Sequence, residues 1–83
     1  MKKFTKEDYK KIFIESLDID SKKFNEKIKY NEIPEWDSIG HMTLVSAIEE
    51  NFKITFETDD IIDFSSFTEG LKILKKYNVD ISY

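Results

Sequence analysis

Pro34-Glu35-Trp36-Asp37-Ser38-Ile39-Gly40-His41-Met42 is the stretch on which the fold turns. A proline-bearing loop gives way there to the most clearly periodic helix of the sequence. Asp37 suits the N-cap, because its carboxylate can accept from the free N–H groups of the first turn. Its negative charge also suits the positive end of the helix dipole. Ser38 follows at the first helical position, with its hydroxyl near the surface of the loop. Another protein can reach a hydroxyl there, and modifying it costs the fold little. Ser38 therefore reads as a point of covalent attachment, and the rest of the chain as the scaffold that presents it.

Downstream, the periodicity predicts a helix from Ser38 to Phe52. At about 100° per residue, Leu44, Val45, Ile48 and Phe52 share one arc and form the core face, with Ala47 at its border. The opposite face carries Thr43, Ser46, Glu49 and Glu50, but also Ile39 and Met42. Scattered exposed apolar side chains are ordinary on any surface. An apolar pair ringed by carboxylates beside an attachment point reads instead as a docking patch, made of Ile39, Met42, Glu49 and Glu50. Its binding would be transient and sensitive to salt.

Upstream, a first helix is expected from about Thr5 to Leu17. Thr5 is the cap, and Tyr9, Ile12, Phe13 and Leu17 lie on one face. Phe4 is positioned to fold back on Tyr9. Asp18 to Glu35 has no clean period and reads as a long loop with a helical turn near Lys22 to Lys27. Its task would be to deliver Asp37 and Ser38 to the surface. Trp36 reads as a loop anchor. Beyond the central helix, Lys53 to Glu57 reads as an extended loop. Thr58 to Phe64 reads as a short third helix capped by Thr58. Ser66-Phe67-Thr68-Glu69 is a capping box that opens a last helix to about Tyr77, with Phe67, Leu71, Leu74 and Tyr77 inward. Gly70 inside it would allow close approach of a neighbour. Asn78 stops that helix, and Val79 to Tyr83 is left to fray or fold back. The expected fold is all-α: a small four-helix bundle with a long loop between helices 1 and 2 and a short third helix, forming a single domain over residues 1–83.

Composition narrows the function classes. The 83 residues include no cysteine and one histidine, which leaves no disulfide framework and no thiolate metal site. There is no apolar run of about 20 residues, and no apolar stretch follows the basic N-terminus, so neither a membrane span nor a signal peptide is expected. A cytoplasmic protein follows by default, and a monomer is expected. The net charge of −4 is uneven. Residues 1–30 hold nine Lys against six acids, whereas residues 31–64 hold one Lys against nine acids. All thirteen basic residues are Lys, and with the acidic balance this argues against nucleic-acid binding. No Gly-x-Ser-x-Gly elbow surrounds Ser38, and no second base is in view, so a serine hydrolase is rejected. For His41, packing or surface placement outweighs catalysis.

Trp36-Asp37-Ser38-Ile39, followed by Ala47-Ile48-Glu49-Glu50-Asn51-Phe52-Lys53-Ile54, resembles the acyl carrier protein family. The resemblance extends through an acidic third helix and an amphipathic fourth, and is weakest in the first 30 residues. It implies that the fold is the acyl-carrier bundle and that the chain is not an enzyme. It implies that a phosphopantetheinyl transferase moves 4′-phosphopantetheine from coenzyme A onto Ser38, with Asp37 helping the transferase recognise the site. The terminal thiol of that arm would carry an acyl or aminoacyl group as a thioester. Partners would be loading and acceptor enzymes with basic docking patches. Trp36 stands where the family often has Gly, and Ile39 where it has Leu. Trp-Asp-Ser followed by Gly-His-Met is similar to stand-alone carriers outside bulk fatty-acid synthesis. The alternative is a helical interaction module that has the carrier fold and is not modified.

Overall fold

The computed structural model describes residues 2–82 in the order strand β1 (Lys2–Thr5), helix α1 (Lys6–Leu17), α2 (Ser38–Phe52), α3 (Thr58–Asp63), α4 (Phe67–Lys76) and strand β2 (Val79–Ser82). Met1 and Tyr83 lie outside the described residues, so the expectation for Tyr83 is not addressed.

Capping chemistry sets the helix starts. Thr5 Oγ1 accepts from Asp8 N, and the Asp8 carboxylate accepts from Thr5 N, so α1 opens on a complete capping box. Asp37 Oδ1 accepts from Gly40 N at 2.8 Å and opens α2. Ser66 Oγ accepts from Glu69 N and opens α4. The cap expected at Thr58 is corrected: Thr58 is already the first residue of α3, and Glu57 occupies the cap position without a side-chain bond.

The all-α expectation is also corrected. β1 and β2 pair in parallel, with Phe4 opposite Ile81 and Lys2 opposite Val79, so the two ends of the described chain close one small sheet. The segment from Val79 thus folds back as a strand. Its side chains alternate: Val79 is buried, and Ile81 packs against the core from a half-buried position. Pairing also redirects Phe4, whose ring lies 4.3 Å from that of Phe52.

The core faces of α1 and α2 are the expected ones: Tyr9, Ile12, Phe13 and Leu17 on α1, and Leu44, Val45, Ile48 and Phe52 on α2. On α4 the buried set is Phe67, Gly70, Ile73 and Leu74, with Leu71 and Tyr77 only half-buried. The Tyr9 ring reaches from α1 to α4, and Gly70 leaves the room it needs. The Tyr9 hydroxyl donates to the Phe67 carbonyl at 2.8 Å. A Cβ at Gly70 would lie 2.1 Å from that hydroxyl and 2.3 Å from Phe64 Cζ.

The α1–α2 loop is held by its apolar residues. Ile19, Ile28 and Trp36 are buried, and Phe24 packs edge-on against Phe67. Short turns close over Asp20 and Asn25, whose side chains accept from Lys22 N and Lys27 N, rather than a regular helix near Lys22 to Lys27. Near the loop's end, Lys29 forms an antiparallel bridge with Ser66, and Tyr30 N donates to Ser65 O at 2.8 Å. That bridge fixes where Tyr30 stands.

Candidate functional site

Ser38 is exposed, and its Oγ lies 3.3 Å from the Tyr30 hydroxyl. The capping work at this helix start falls to Asp37, so the serine oxygen is spare for chemistry. Gly40 lets the loop approach the helix closely, since a Cβ there would sit 2.1 Å from the Glu35 carbonyl oxygen. Glu35 is tied in turn to Lys23 at 2.6 Å, and that ammonium holds its carboxyl below the usual carboxylate range.

Ser38 stands on the rim of an open cleft of about 380 Å³ between the loop, α2 and α3. Its walls include Tyr30, Met42, Ile61, Ile62 and Phe64, and no Lys or Arg lines it. Ile62 is 70% exposed and Ile61 half-buried, so α3 presents one isoleucine to the core and one to water. Such an apolar wall next to a reachable hydroxyl suits a group that is attached at Ser38 and is itself partly apolar.

His41 is structural. Trp36 is fully buried, and its indole N–H donates to His41 Nδ1 at 3.0 Å. Because the indole can only donate, the imidazole must accept at Nδ1 and carry its proton on Nε2. That Nε2–H donates to Ile61 O at 2.8 Å, so one side chain ties the loop to α2 and α2 to α3. A second tie holds α3 against α4. Asp60 is buried, accepting from Lys76 Nζ at 2.6 Å and from the Tyr77 hydroxyl.

The residues expected to dock partners separate into two groups. Ile39 is 78% exposed, Met42 is 54% exposed and Glu50 is exposed. Glu49 is half-buried, and its Oε2 accepts from Phe56 N at 2.7 Å. It fastens the loop that follows α2. Met42 belongs to both the exposed face and the cleft.

Sequence reasoning missed Tyr30, Ile61, Ile62 and Ser65 as neighbours of Ser38. For Tyr30 the loop carried no periodic signal. For Ile61 and Ile62 the signal was there, in two adjacent isoleucines on a helix too short to bury both. Among the described residues, no cluster of three or more His, Cys, Asp or Glu is arranged to hold a metal ion, and no helix is long and apolar enough to cross a membrane. No protein-family model matches the chain, and no curated protein matches it.

Proposed function

We propose that the chain is a non-enzymatic carrier protein that bears an acyl or aminoacyl group on a 4′-phosphopantetheine arm at Ser38. The observation that supports this best is the position of the Ser38 hydroxyl. It is exposed, released from capping by Asp37, and set on the rim of an apolar cleft. Attachment forms a bond from Ser38 Oγ to phosphorus. It breaks the pyrophosphate link of coenzyme A and releases the nucleotide portion, and the hydroxyl proton passes to a base on the transferase. The arm would supply the thiol that this cysteine-free chain lacks. The chain's own residues have three tasks in this reading. Asp37 holds the helix start, Ser38 provides the oxygen, and the walls of the cleft give an apolar neighbour to what is attached.

Docking of partner enzymes would use the exposed Ile39 and Met42 with Glu50 at the edge, the charges steering a basic surface and the apolar pair making contact. Coexpression with a broad-specificity phosphopantetheinyl transferase tests the attachment. The intact mass should rise by one phosphopantetheine, and Ser38→Ala should fold and stay at its unmodified mass. A wild-type chain left unmodified by several transferases would refute the reading.

A further inference from the structure

The Tyr30 hydroxyl and Ser38 Oγ are 3.3 Å apart, at or beyond the long end of O–H···O pairs. This weak contact is built by long-range structure. Ile28 is buried and accepts from Phe67 N, Lys29 bridges Ser66, and Tyr30 N donates to Ser65 O. The Tyr30 ring then stands edge-on to both Trp36 and His41, with centroids 6.2 and 5.3 Å away. A phenol on so fixed a mount, facing one serine, needs a reason.

We infer that Tyr30 is the carrier's own phosphate-binding residue, its hydroxyl donating to the phosphodiester formed at Ser38 and so setting the direction in which the arm leaves. The inference rests on the carrier reading above. Charge supports it. Among the residues lining the cleft none is Lys or Arg, and the neighbouring Asp37 is a carboxylate. A phosphodiester here meets no lining ammonium or guanidinium, so beside water and the N–H groups of the first turn of α2 its side-chain partners on the cleft wall are neutral donors. His41 is excluded, because both ring nitrogens are already engaged. Two hydroxyls remain on the cleft wall besides Ser38 itself, those of Tyr30 and Ser65, and Tyr30 is the one in contact with Ser38.

The roles in the pair also change on modification. An esterified Ser38 has no proton to give, so Tyr30 becomes the donor. A hydrogen bond to an ionised acceptor is roughly twice as strong as a neutral one, so the phenol gains by turning from the long serine contact to a phosphate oxygen.

The test compares wild type and Tyr30→Phe, each before and after complete attachment of the arm. The Phe variant keeps the ring and its packing and removes only the hydroxyl. Attachment should raise the thermal midpoint by about 4 °C more in wild type than in Tyr30→Phe, as loss of one modest hydrogen bond does in a domain of this size. The phosphorus NMR resonance of the arm should shift in Tyr30→Phe and stay in place in Ser65→Ala. Equal midpoint gains with an unchanged resonance would overturn the inference and leave the carrier reading intact. A wild-type chain that takes no arm would overturn both. Should Tyr30→Phe melt early even when unmodified, the phosphorus resonance decides alone.

Discussion

Trp36 and His41 determine one another's hydrogen bonding. The buried indole N–H donates to Nδ1 at 3.0 Å, which leaves Nε2–H to reach the Ile61 carbonyl at 2.8 Å. Three segments that frame the cleft therefore hang on one imidazole. His41→Leu should leave a buried indole N–H and a carbonyl without partners, at a cost of about 1–3 kcal/mol for each group stranded away from water. Trp36→Phe removes the donor while keeping an aromatic ring, so the two changes together should cost less than their sum. Urea unfolding of the four proteins measures this. Strict additivity would show that the two side chains are not coupled.

Asp60 gives the fold a pH dependence whose direction can be stated. The Lys76 ammonium first, and the Tyr77 hydroxyl second, hold its carboxyl below the usual carboxylate range. The unfolded chain therefore binds a proton at Asp60 before the folded chain does, and folding is favoured wherever only the unfolded form is protonated or neither is. This contribution is fully present above the ordinary aspartate pKa of about 3.9 and is lost as pH falls through the lower folded value. Lys76 is shifted up, chiefly by its bond to Asp60, and Tyr77 is shifted up by burial and then by Asp60. For those two, the contribution is complete below their ordinary values near 10 and disappears as pH rises through the raised folded values. In melts from pH 2 to 7, Asp60→Asn should be less stable than wild type at neutral pH, and the gap should narrow at the acid end. A gap that stays constant with pH would show that the carboxylate's charge is not what matters.

Gly40 and Gly70 test close approach against helix propensity. Ala is favoured over Gly inside a helix by about 1 kcal/mol, so propensity alone predicts that Gly70→Ala stabilises. A Cβ at Gly70 would lie 2.1 Å from the Tyr9 hydroxyl and 2.3 Å from Phe64 Cζ, both in the core. Forcing atoms into a packed core costs about 1–3 kcal/mol or more, which exceeds the propensity gain. Gly70→Ala should therefore destabilise. Gly40→Ala meets the backbone oxygen of Glu35 at 2.1 Å, and its effect should extend to the attachment proposed at Ser38. It pushes the loop off the start of α2, so Ser38 modification should slow more than the loss of stability explains. Modification rates measured well below the melting temperature separate the two effects.

The parts of this fold legible in the sequence were those set by neighbours along the chain. Asp37 as cap, the start of α2 at Ser38 and its Leu44–Val45–Ile48–Phe52 face all follow from local capping and a 3.6-residue period. Thr5 and the α1 face follow in the same way. The parallel β1–β2 pair was not legible, because each strand has four residues and its partner lies at the other end of the chain. The same limit hid Tyr30. Its place beside Ser38 depends on the Lys29–Ser66 bridge, a pairing across most of the chain's middle. Glu49 was assigned to the acidic face by its helical angle. Lys53, in the left-handed conformation at the end of α2, turns the chain back so that Phe56 N meets the Glu49 carboxylate.

That difference between Glu49 and Glu50 gives a direct test of the proposed docking face. Glu49→Ala leaves the half-buried Phe56 N–H contact without its carboxylate and should lower stability by about 1–3 kcal/mol. Glu50 is exposed at the end of the helix face, so Glu50→Lys should change stability by no more than about 0.5 kcal/mol. Its effect should appear in partner binding. If a transferase approaches over α2 with a basic surface, reversing this charge raises KM at low salt, and the difference fades as ionic strength shortens the Debye length. Ile39→Ala should weaken the same encounter with little dependence on salt, because it removes contact area rather than charge. A Glu50→Lys protein modified with an unaltered KM at every salt concentration would place the docking surface on another face.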